Sequence, residues 1–425
     1  MNPQSLAVQR TFLTLLFCNT LAASLIWGVN TLFLLDAGLS NFEAFAANAF
    51  FTVGMVLFEV PTGVIADLKG RRLSFLLGSA TLVVSTLLYV WLWQIAAPFW
   101  AWAAVSVFLG LGFTFFSGAV EAWLVDALNA TDFRGKVDTI FAKGQIVTGI
   151  AMLLGSFGGG LIAQLSNLGV PYVLRALILA VTFVLALMLM RDLGFKPVKS
   201  ERPLKEVKRI LNDSIKYGIK VPQVRWVMLT APFVMGVSIY GFYALQPYLL
   251  ELWGDQEAYA IAGLAAAILA GAQIAGGLLA TQLWRFFSRR TTILVTGITL
   301  SAVVLVLIGL ITNFWAAIGL VVLWGLAFAS TIPARQAYIN GLIPSKQRAT
   351  VLSFDSLLGS GGGVVAQPLL GKAADIWSYS TSYILAGGII ALAVPFAILA
   401  RKSAKKGEAK IADQISRGED PAKAQ

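Results

Sequence analysis

The chain has 425 residues, of which 58% are hydrophobic and only 12% are charged, and its mean hydropathy is +0.78. Soluble domains carry about 25% charged and about 45–50% apolar residues, so a water-soluble globule is excluded. The chain has a single cysteine, Cys18, and no histidine, which excludes an internal disulfide and a thiolate metal cluster. The net charge of +11 indicates either nucleic acid or a membrane surface as partner.

Twelve apolar segments are each long enough to cross a bilayer as a helix, which takes about 20 mostly apolar residues. They lack the alternating pattern that barrel strands show. The first segment is too long for a signal peptide and has no convincing cleavage site, so we interpret it as a retained helix. The segments cover approximately residues 11–34, 43–66, 73–95, 98–125, 137–164, 172–190, 226–250, 258–283, 292–312, 314–340, 349–372 and 380–400. The sequence therefore predicts an all-α integral membrane protein.

Positive charge alternates between the loops that join these segments. Every second loop and both termini are basic, and together they hold 28 of the 32 lysines and arginines. The intervening loops contain only acidic charges, such as Asp36, Glu251, Asp255, Glu257 and Asp375. Because positively charged loops stay inside, we expect both termini in the cytoplasm and the chain in the plasma (bacterial inner) membrane. The charge is thus explained by topology, with the lipid bilayer rather than nucleic acid as partner.

A long polar stretch divides the chain into two bundles of six helices each. The predicted units are an N-terminal bundle, 1–190, a linker, 191–224, a C-terminal bundle, 225–400, and a basic cytoplasmic tail, 401–425. Apolar residues recur every three to four positions in the linker. This spacing is typical of an amphipathic helix on the membrane surface, and a solvated linker helix explains it as well.

A Gly-x-x-Ala motif recurs at the C-terminal end of the second helix in each group of three. Its copies begin at Gly63, Gly160, Gly277 and Gly371. An odd number of helices inverts the unit at every copy, so the motif predicts 3+3 inverted repeats within each bundle, which is a known transporter design. Close packing of small residues between membrane helices is the simpler alternative explanation.

The loop between the second and third helices resembles a family signature. The segment Gly63-Val-Ile-Ala-Asp67-Leu-Lys-Gly70-Arg71-Arg72 is similar to the loop 2–3 signature of the major facilitator superfamily. The corresponding 8–9 loop is degenerate, and the helix-5 segment Gly155–Gly160 lacks the proline of the family's exporter signature. The resemblance covers residues 1–400. It implies alternating access, in which two rocking bundles enclose a central site lined by helices 1, 4, 7 and 10.

The signature charges have two interpretations on the residues alone. Asp67, at the inner end of helix 2, could pair with Arg71 or Arg72, or face the positive N-terminus of helix 11. Either contact would hold the cytoplasmic side shut. A charged turn that only sets topology explains the basic residues equally well.

Charges within the helices are costly in a bilayer, so we expect them to be paired or functional. Arg175 and Lys372 lie near outer helix ends and are expected to snorkel toward water. The remaining charged residues within the helices lie in the cytoplasmic third. Repeat symmetry relates Glu121 to Arg335, and an ion pair between these two residues would bridge the bundles when the cytoplasmic side is closed. Desolvation of an unpaired carboxylate there would make it a proton carrier. The predicted gate and proton-coupling set is Glu59, Asp67, Arg71, Arg72, Glu121, Asp126, Lys143, Arg335 and Asp355.

The predicted substrate cavity is aromatic and uncharged. Its candidate residues are Asn19, Trp27, Asn30, Phe113, Tyr240, Tyr243, Gln246, Trp324 and Phe328. We expect only a subset of them to face inward, because aromatic residues of membrane helices also serve as interfacial anchors. Such a lining suits a weakly polar organic molecule and argues against a phosphate or a polyanion, which would need arginine or lysine.

Together these features predict a secondary active transporter, with proton-coupled export of amphipathic small organic molecules as the first hypothesis. A facilitator or importer of a small neutral metabolite is an alternative, and a non-transporting membrane receptor or scaffold is another. The sequence offers no histidine, cysteine pair or phosphate-binding glycine loop on a soluble domain. We therefore expect no enzyme activity, catalytic residue, metal or cofactor, and a protein that works as a monomer, as is usual in the family.

Overall fold

The computed structural model describes residues 2–197, 215–286, 289–344 and 347–416, and the regular structure in these ranges is helical. The first half contains α1 (Pro3–Ser24 and Asn30–Asp36), α2 (Asn41–Lys69), α3 (Arg71–Gln94), α4 (Phe99–Thr114 and Ala119–Ala130), α5 (Val137–Leu165) and α6 (Val170–Leu189). The second half contains α7 (Pro222–Met228 and Ala231–Trp253), α8 (Tyr259–Phe286), α9 (Arg290–Leu310), α10 (Phe314–Leu342), α11 (Arg348–Ile376) and α12 (Tyr379–Ala391 and Ala393–Ser416). The greater part of the predicted linker helix lies outside the described residues, as does the end of the predicted tail.

These helices occupy the positions of the predicted membrane segments. Eleven of them are long and apolar enough to cross a membrane, which supports the predicted fold class. The exception is α11, which has 29 residues but carries the Gly- and Ser-rich run Gly359–Gly363 and the charged Asp355, Lys372 and Asp375. Because α11 packs against α7 of its own half and α2 of the other half, protein covers much of its surface and tolerates this polarity.

Several helices expected to line the central site are interrupted. α1 breaks between Ser24 and Asn30, α4 breaks at residues 115–118, and α7 breaks before Ala231. At the break in α4, Gly118 has a φ of +66°, a left-handed conformation that glycine adopts without a steric penalty. α10 is continuous but contains Pro333. Discontinuous helices of this kind surround the substrate sites of many transporters.

The packing of the helices follows the predicted repeats. In the first half α1 packs on α5, α2 on α4, and α3 on α6, and in the second half α7 packs on α11, α8 on α10, and α9 on α12. The helices that carry the Gly-x-x-Ala motif have almost the same length, with 29 residues in α2, α5 and α11 and 28 in α8. The two halves meet along two helix pairs, α2 with α11 and α5 with α8.

We name the two ends of the bundle by the charges of their loops. The basic face carries the loops with Lys69–Arg72, Arg134–Lys136 and Arg191, and the acidic face carries Asp36, Glu251, Asp255, Glu257 and Asp375. Successive Gly-x-x-Ala motifs lie alternately at the basic and the acidic face. This alternation is the arrangement that inverted repeats require.

Of the four motif glycines, those at the acidic face lie against the opposite half. A Cβ atom placed on Gly160 of α5 would lie 2.7 Å from the Cα of Gly263 on α8, and one on Gly371 of α11 would lie 2.8 Å from the carbonyl oxygen of Asn41 on α2. At the basic face, Cβ atoms on Gly63 and Gly277 would meet nothing within 4 Å. The same motif therefore packs the halves together at one face and leaves them separate at the other.

This asymmetry predicts opposite outcomes for two equivalent substitutions. Gly160→Leu prevents close packing at the acidic face, and overpacking of about 1–3 kcal/mol should shift the equilibrium between the two faces by roughly 5- to 150-fold. Gly63→Leu fits the observed arrangement without a clash. In a Cys18→Ser background, spin labels on Lys136→Cys and Gly341→Cys measure the separation of the halves at the basic face. We expect shorter distances for Gly160→Leu and unchanged distances for Gly63→Leu, and identical distributions would contradict the assignment.

Candidate functional site: the interface between the two halves

The side-chain amide of Gln246, on α7, joins the halves near the acidic face. Its Oε1 accepts a hydrogen bond of 2.8 Å from the backbone N–H of Thr31, and its Nε2 donates one of 2.6 Å to the carbonyl oxygen of Trp27. The Thr31 hydroxyl in turn donates to the carbonyl oxygen of Tyr243 at 2.9 Å. Gln246 is only 2% exposed, so these bonds are made without competition from water.

Two further contacts close the acidic face, and both satisfy a helix N-terminus. The carboxylate of Asp375, at the end of α11, accepts hydrogen bonds of 2.9 Å from the backbone N–H groups of Asn41 and Phe42 at the start of α2. Gln164 of α5 accepts a long bond, 3.4 Å, from the N–H of Ala260 at the start of α8. Helix N-termini have unsatisfied donors and a positive dipole end, so an acceptor from the opposite half stabilises the closed face.

Aromatic side chains reinforce this closure. Phe45 of α2 is fully buried against Tyr240 of α7, with ring centroids 4.6 Å apart, and the hydroxyl of Tyr379 donates to the Oδ1 of Asn41. Across the described ranges, the hydrogen bonds identified between the two halves all lie at or near the acidic face. The basic face has no comparable set in the part of the chain that the structure describes.

Of the predicted gate residues, the structure brings Arg335 and Asp355 together. Nε of Arg335 on α10 lies 3.1 Å from Oδ2 of Asp355 on α11, and Nη2 bonds to Oδ1, which makes the pair bidentate. Nη1 donates to the hydroxyl of Thr230 at 2.7 Å. The pair lines a cavity of about 180 Å³ within the second half, beside Phe328. The side chains of Arg335 and Asp355 are only 12% and 10% exposed, so their mutual charge compensation matters energetically.

The other predicted gate residues are dispersed. Glu121 and Lys143 are exposed and Asp126 is half-buried, and none of the three forms an ion pair within the described ranges. Glu59 accepts a hydrogen bond of 2.6 Å from Ser117 of α4. The hypothesis of a bridge between Glu121 and Arg335 refers to an arrangement closed at the basic face. It stays a prediction, because the basic face is open here.

The predicted cavity residues do not form one lining. Trp27, Tyr243 and Gln246 belong to the acidic-face closure. Tyr240 and Trp324 are buried in the core of the second half, Phe328 lines the small cavity, and Asn19 is half-buried on α1. Asn30 lies within the first half, where it donates to Asn48 Oδ1 and accepts from the hydroxyl of Tyr172, both at 3.0 Å. Phe113 lies edge-on to Phe51 of α2.

The sequence-based expectation that Arg175 snorkels is wrong. Its side chain is only 1% exposed and points into the first half, where Nε donates to the hydroxyl of Thr86 at 3.2 Å. The guanidinium carbon lies 5.7 Å from the ring centroid of Phe113. The sequence did contain a signal for this burial. Thr86 and Tyr89 are three residues apart, so they share one face of α3 and offer polar groups to a buried arginine. Lys372 is exposed, as a snorkelling side chain would be.

Comparison with known proteins places the chain in a family. The sequence profile described as Major Facilitator Superfamily matches residues 12–284 and 233–421. The chain belongs to the major facilitator superfamily. Multidrug resistance protein MdtG of Citrobacter koseri is 26% identical to it over an alignment that covers 77% of each chain.

Solved structures of the superfamily share its fold. A variant of the nucleoside transporter NupG superposes with a TM-score of 0.75 at 12% identity, covering 93% of this chain and 99% of NupG. A bacterial homologue of the human lysosomal transporter Spinster, inward-facing and unoccupied, gives a TM-score of 0.74 at 16% identity, covering 96% and 98% of the two chains. The protein is therefore an integral membrane transporter of this superfamily and not an enzyme.

The superfamily signature has a defined geometry. Oδ1 of Asp67 lies 2.6 Å from Nη1 of Arg71, so the predicted pairing of Asp67 is confirmed for Arg71. Arg72 instead binds the end of α6 and the chain that follows it. Its guanidinium donates to the carbonyl oxygen of Leu187 at 2.6 Å, and its backbone N–H donates to Asp192 at 2.9 Å. The signature thus anchors the N-terminus of α3 within the first half, and its Asp–Arg pair is partly exposed.

The bonds of Gln246 predict how the acidic face opens. Gln246→Leu removes two hydrogen bonds between the halves and leaves the N–H of Thr31 without its acceptor, at a cost of roughly 1–3 kcal/mol, so the open population should rise by roughly 5- to 150-fold. Hydrogen–deuterium exchange of peptides covering residues 27–35 and 243–250 should accelerate accordingly. Gln145→Leu, on the exposed side of α5, is the matched control and should leave both peptides unchanged. Equal exchange in the two variants would exclude this role for Gln246.

Proposed function

We propose that the protein exports amphipathic small organic molecules in exchange for protons and that its basic face is cytoplasmic. The second part rests on the positive-inside rule, because the basic residues cluster in the loops of that face. With the basic face in the cytoplasm, both termini are cytoplasmic as well. The proposed location is the plasma membrane, which is the inner membrane in a bacterium, and the proposed working form is a monomer. With this orientation the arrangement described above is inward-facing and closed to the outside.

The observation that carries the proposal is the ion pair between Arg335 and Asp355 at the wall of a cavity in an inward-facing protein. A carboxylate in such a place has two partners available, the arginine and a proton. Protonation of Asp355 neutralises it and releases the guanidinium of Arg335, which changes how α10 binds α11. The energy of that exchange can be coupled to movement of the halves, because both helices belong to the repeat that packs against the first half.

Likeness to the multidrug resistance protein MdtG supports export of organic compounds as the direction and substrate class. Glu121 and Glu59 are further candidates for the proton-carrying carboxylate, since neither has an ion-pair partner in the described ranges. The alternative is a facilitator or importer of a small neutral metabolite. The uncharged pair Asn30 and Asn48, hydrogen bonded inside the first half, favours that alternative because amides recognise neutral polar groups.

Reconstituted transport tests the proposal. Purified protein in vesicles that contain a pH-sensitive dye is presented with three naphthalene probes of fixed charge: 2-naphthalenesulfonate, 2-naphthalenemethanol and (2-naphthylmethyl)trimethylammonium. Proton exchange requires that an imposed pH gradient drive accumulation of at least one probe and that probe entry change the lumenal pH. Accumulation that ignores the gradient would favour the facilitator, and absence of flux for every probe would favour a receptor or scaffold.

Neutral substitutions then identify the carboxylate. Asp355→Asn should reduce gradient-driven accumulation by about tenfold or more while probe exchange without a gradient continues, because the Asn side chain cannot carry a proton. Glu121→Gln and Glu59→Gln are measured in the same way. Asp138→Asn, exposed in the first turn of α5, is the matched control. If all three substitutions leave gradient-driven transport unaltered, these carboxylates have no role in proton coupling.

A further inference from the structure

The guanidinium of Arg175 lies deep within the membrane-spanning part of the first half. Its Nε is bonded to Thr86, which lies eight residues before Gln94, the last residue of α3. At 1.5 Å per residue this is about 12 Å from the acidic end of a helix that crosses roughly 30 Å of hydrocarbon. The side chain therefore extends from near the end of α6 toward the centre of the bundle, and places a positive charge there.

This charge has no acidic partner among the described residues. Nε of Arg175 donates a hydrogen bond to the hydroxyl of Thr86, whereas Nη2 is buried without any hydrogen-bond partner. Arg335, a largely buried arginine of the second half, is instead held by the carboxylate of Asp355. Leaving an arginine buried and partly unpaired in a membrane protein is costly, and such residues are as a rule retained for binding or transport.

The surroundings of Arg175 are those of an anion site with an aromatic wall. Three tyrosines, Tyr89, Tyr172 and Tyr243, lie within electrostatic range of the guanidinium. Tyr172 donates to Asn30, and Asn30 donates to Asn48, whose own Nδ2 is buried without a partner. The first half thus holds two unsatisfied buried donors, the Nη2 of Arg175 and the Nδ2 of Asn48. A ligand that brings acceptor oxygens satisfies such donors.

We propose that Arg175 binds the anionic group of the transported molecule, a carboxylate or sulfonate attached to an aromatic or aliphatic body. The inference rests on the proposed transport function and specifies its substrate class. A planar guanidinium matches the two oxygens of such a group, and the rings of Phe113 and Phe51 offer an apolar surface for the body. The sequence of helices 1, 4, 7 and 10 predicted an uncharged cavity. The positive charge of Arg175 comes instead from α6, which is not one of those four helices.

The site also senses the movement of the halves. Arg175, Tyr89 and Tyr172 belong to the first half, whereas Tyr243 belongs to α7 and is fixed to α1 through the bond from Thr31. Opening of the acidic face would carry Tyr243 away from the guanidinium with the second half. A bound anion that contacts both halves therefore binds the two arrangements unequally, which is the requirement for a ligand to shift their populations.

Binding to the purified full-length protein tests the inference without a pH gradient. Calorimetry and thermal unfolding are measured with the three naphthalene probes, which share one ring system and differ in charge. We expect 2-naphthalenesulfonate to bind more tightly than the neutral and cationic probes and to raise the unfolding temperature most. Arg175→Gln should weaken sulfonate binding by about tenfold or more while binding of 2-naphthalenemethanol changes less than about twofold, because only the anionic probe loses charged hydrogen bonds.

Two further variants keep the test decisive. Arg175→Lys retains the charge without the planar fork, so it should fold where Arg175→Gln does not, and it should bind the sulfonate more weakly than wild type but still in preference to the neutral probe. Arg10→Gln, exposed on α1, is the control and should behave as wild type. Equal affinity of wild type for the sulfonate and the neutral probe, or sulfonate binding that survives both Arg175 variants, overturns the inference.

The outcome is separable from that of the proposed function. Arg175-dependent sulfonate binding without any gradient-driven transport supports the anion site and contradicts proton-coupled export. Gradient-driven transport of the neutral or cationic probe, with no Arg175-dependent binding of the sulfonate, supports the export function and overturns the anion site.

Discussion

Backbone N–H groups at helix N-termini constrain this fold more than any other feature. The first N–H groups of a helix have no acceptor within that helix, so another group must supply one. At the acidic face the acceptors come from the opposite half: Gln246 accepts from Thr31, Asp375 from the start of α2, and Gln164 from the start of α8. In the closed acidic face these donors are therefore satisfied by the opposite half of the protein.

The repeated Gly-x-x-Ala motif makes the alternative arrangement accessible. Gly160 and Gly371 allow the helices of opposite halves to touch at the acidic face, while Gly63 and Gly277 have free space around them at the basic face. Inverted repeats place equivalent small residues at both faces, so equivalent contacts are available on either side. In the arrangement observed, the motif pair at the acidic face is packed and the pair at the basic face is not.

Two buried arginines show how differently the halves treat charge. Arg335 is compensated inside the second half by Asp355 and Thr230. Arg175 has a hydroxyl, an aromatic face and three neighbouring tyrosines, but no carboxylate among the described residues. The first arrangement is the basis of the proposed proton coupling, and the second is the basis of the proposed anion site.

Local properties of the sequence determined the number and positions of the membrane helices, their division into two halves, the repeats and the superfamily. Hydropathy and loop charge act over one helix at a time, and the pair of Asp67 with Arg71 needs only a spacing of four residues along α2 and the turn that follows it. The sequence did not determine which face is closed, the bonds of Gln246, or the burial of Arg175. Each of these depends on residues from helices far apart in the chain, such as Trp27 and Thr31 for Gln246 or Thr86 and Phe113 for Arg175. Only the tertiary structure brings those partners together. The sequence places a residue at a position along its own helix, but the packing of the neighbouring helices decides which groups its side chain contacts.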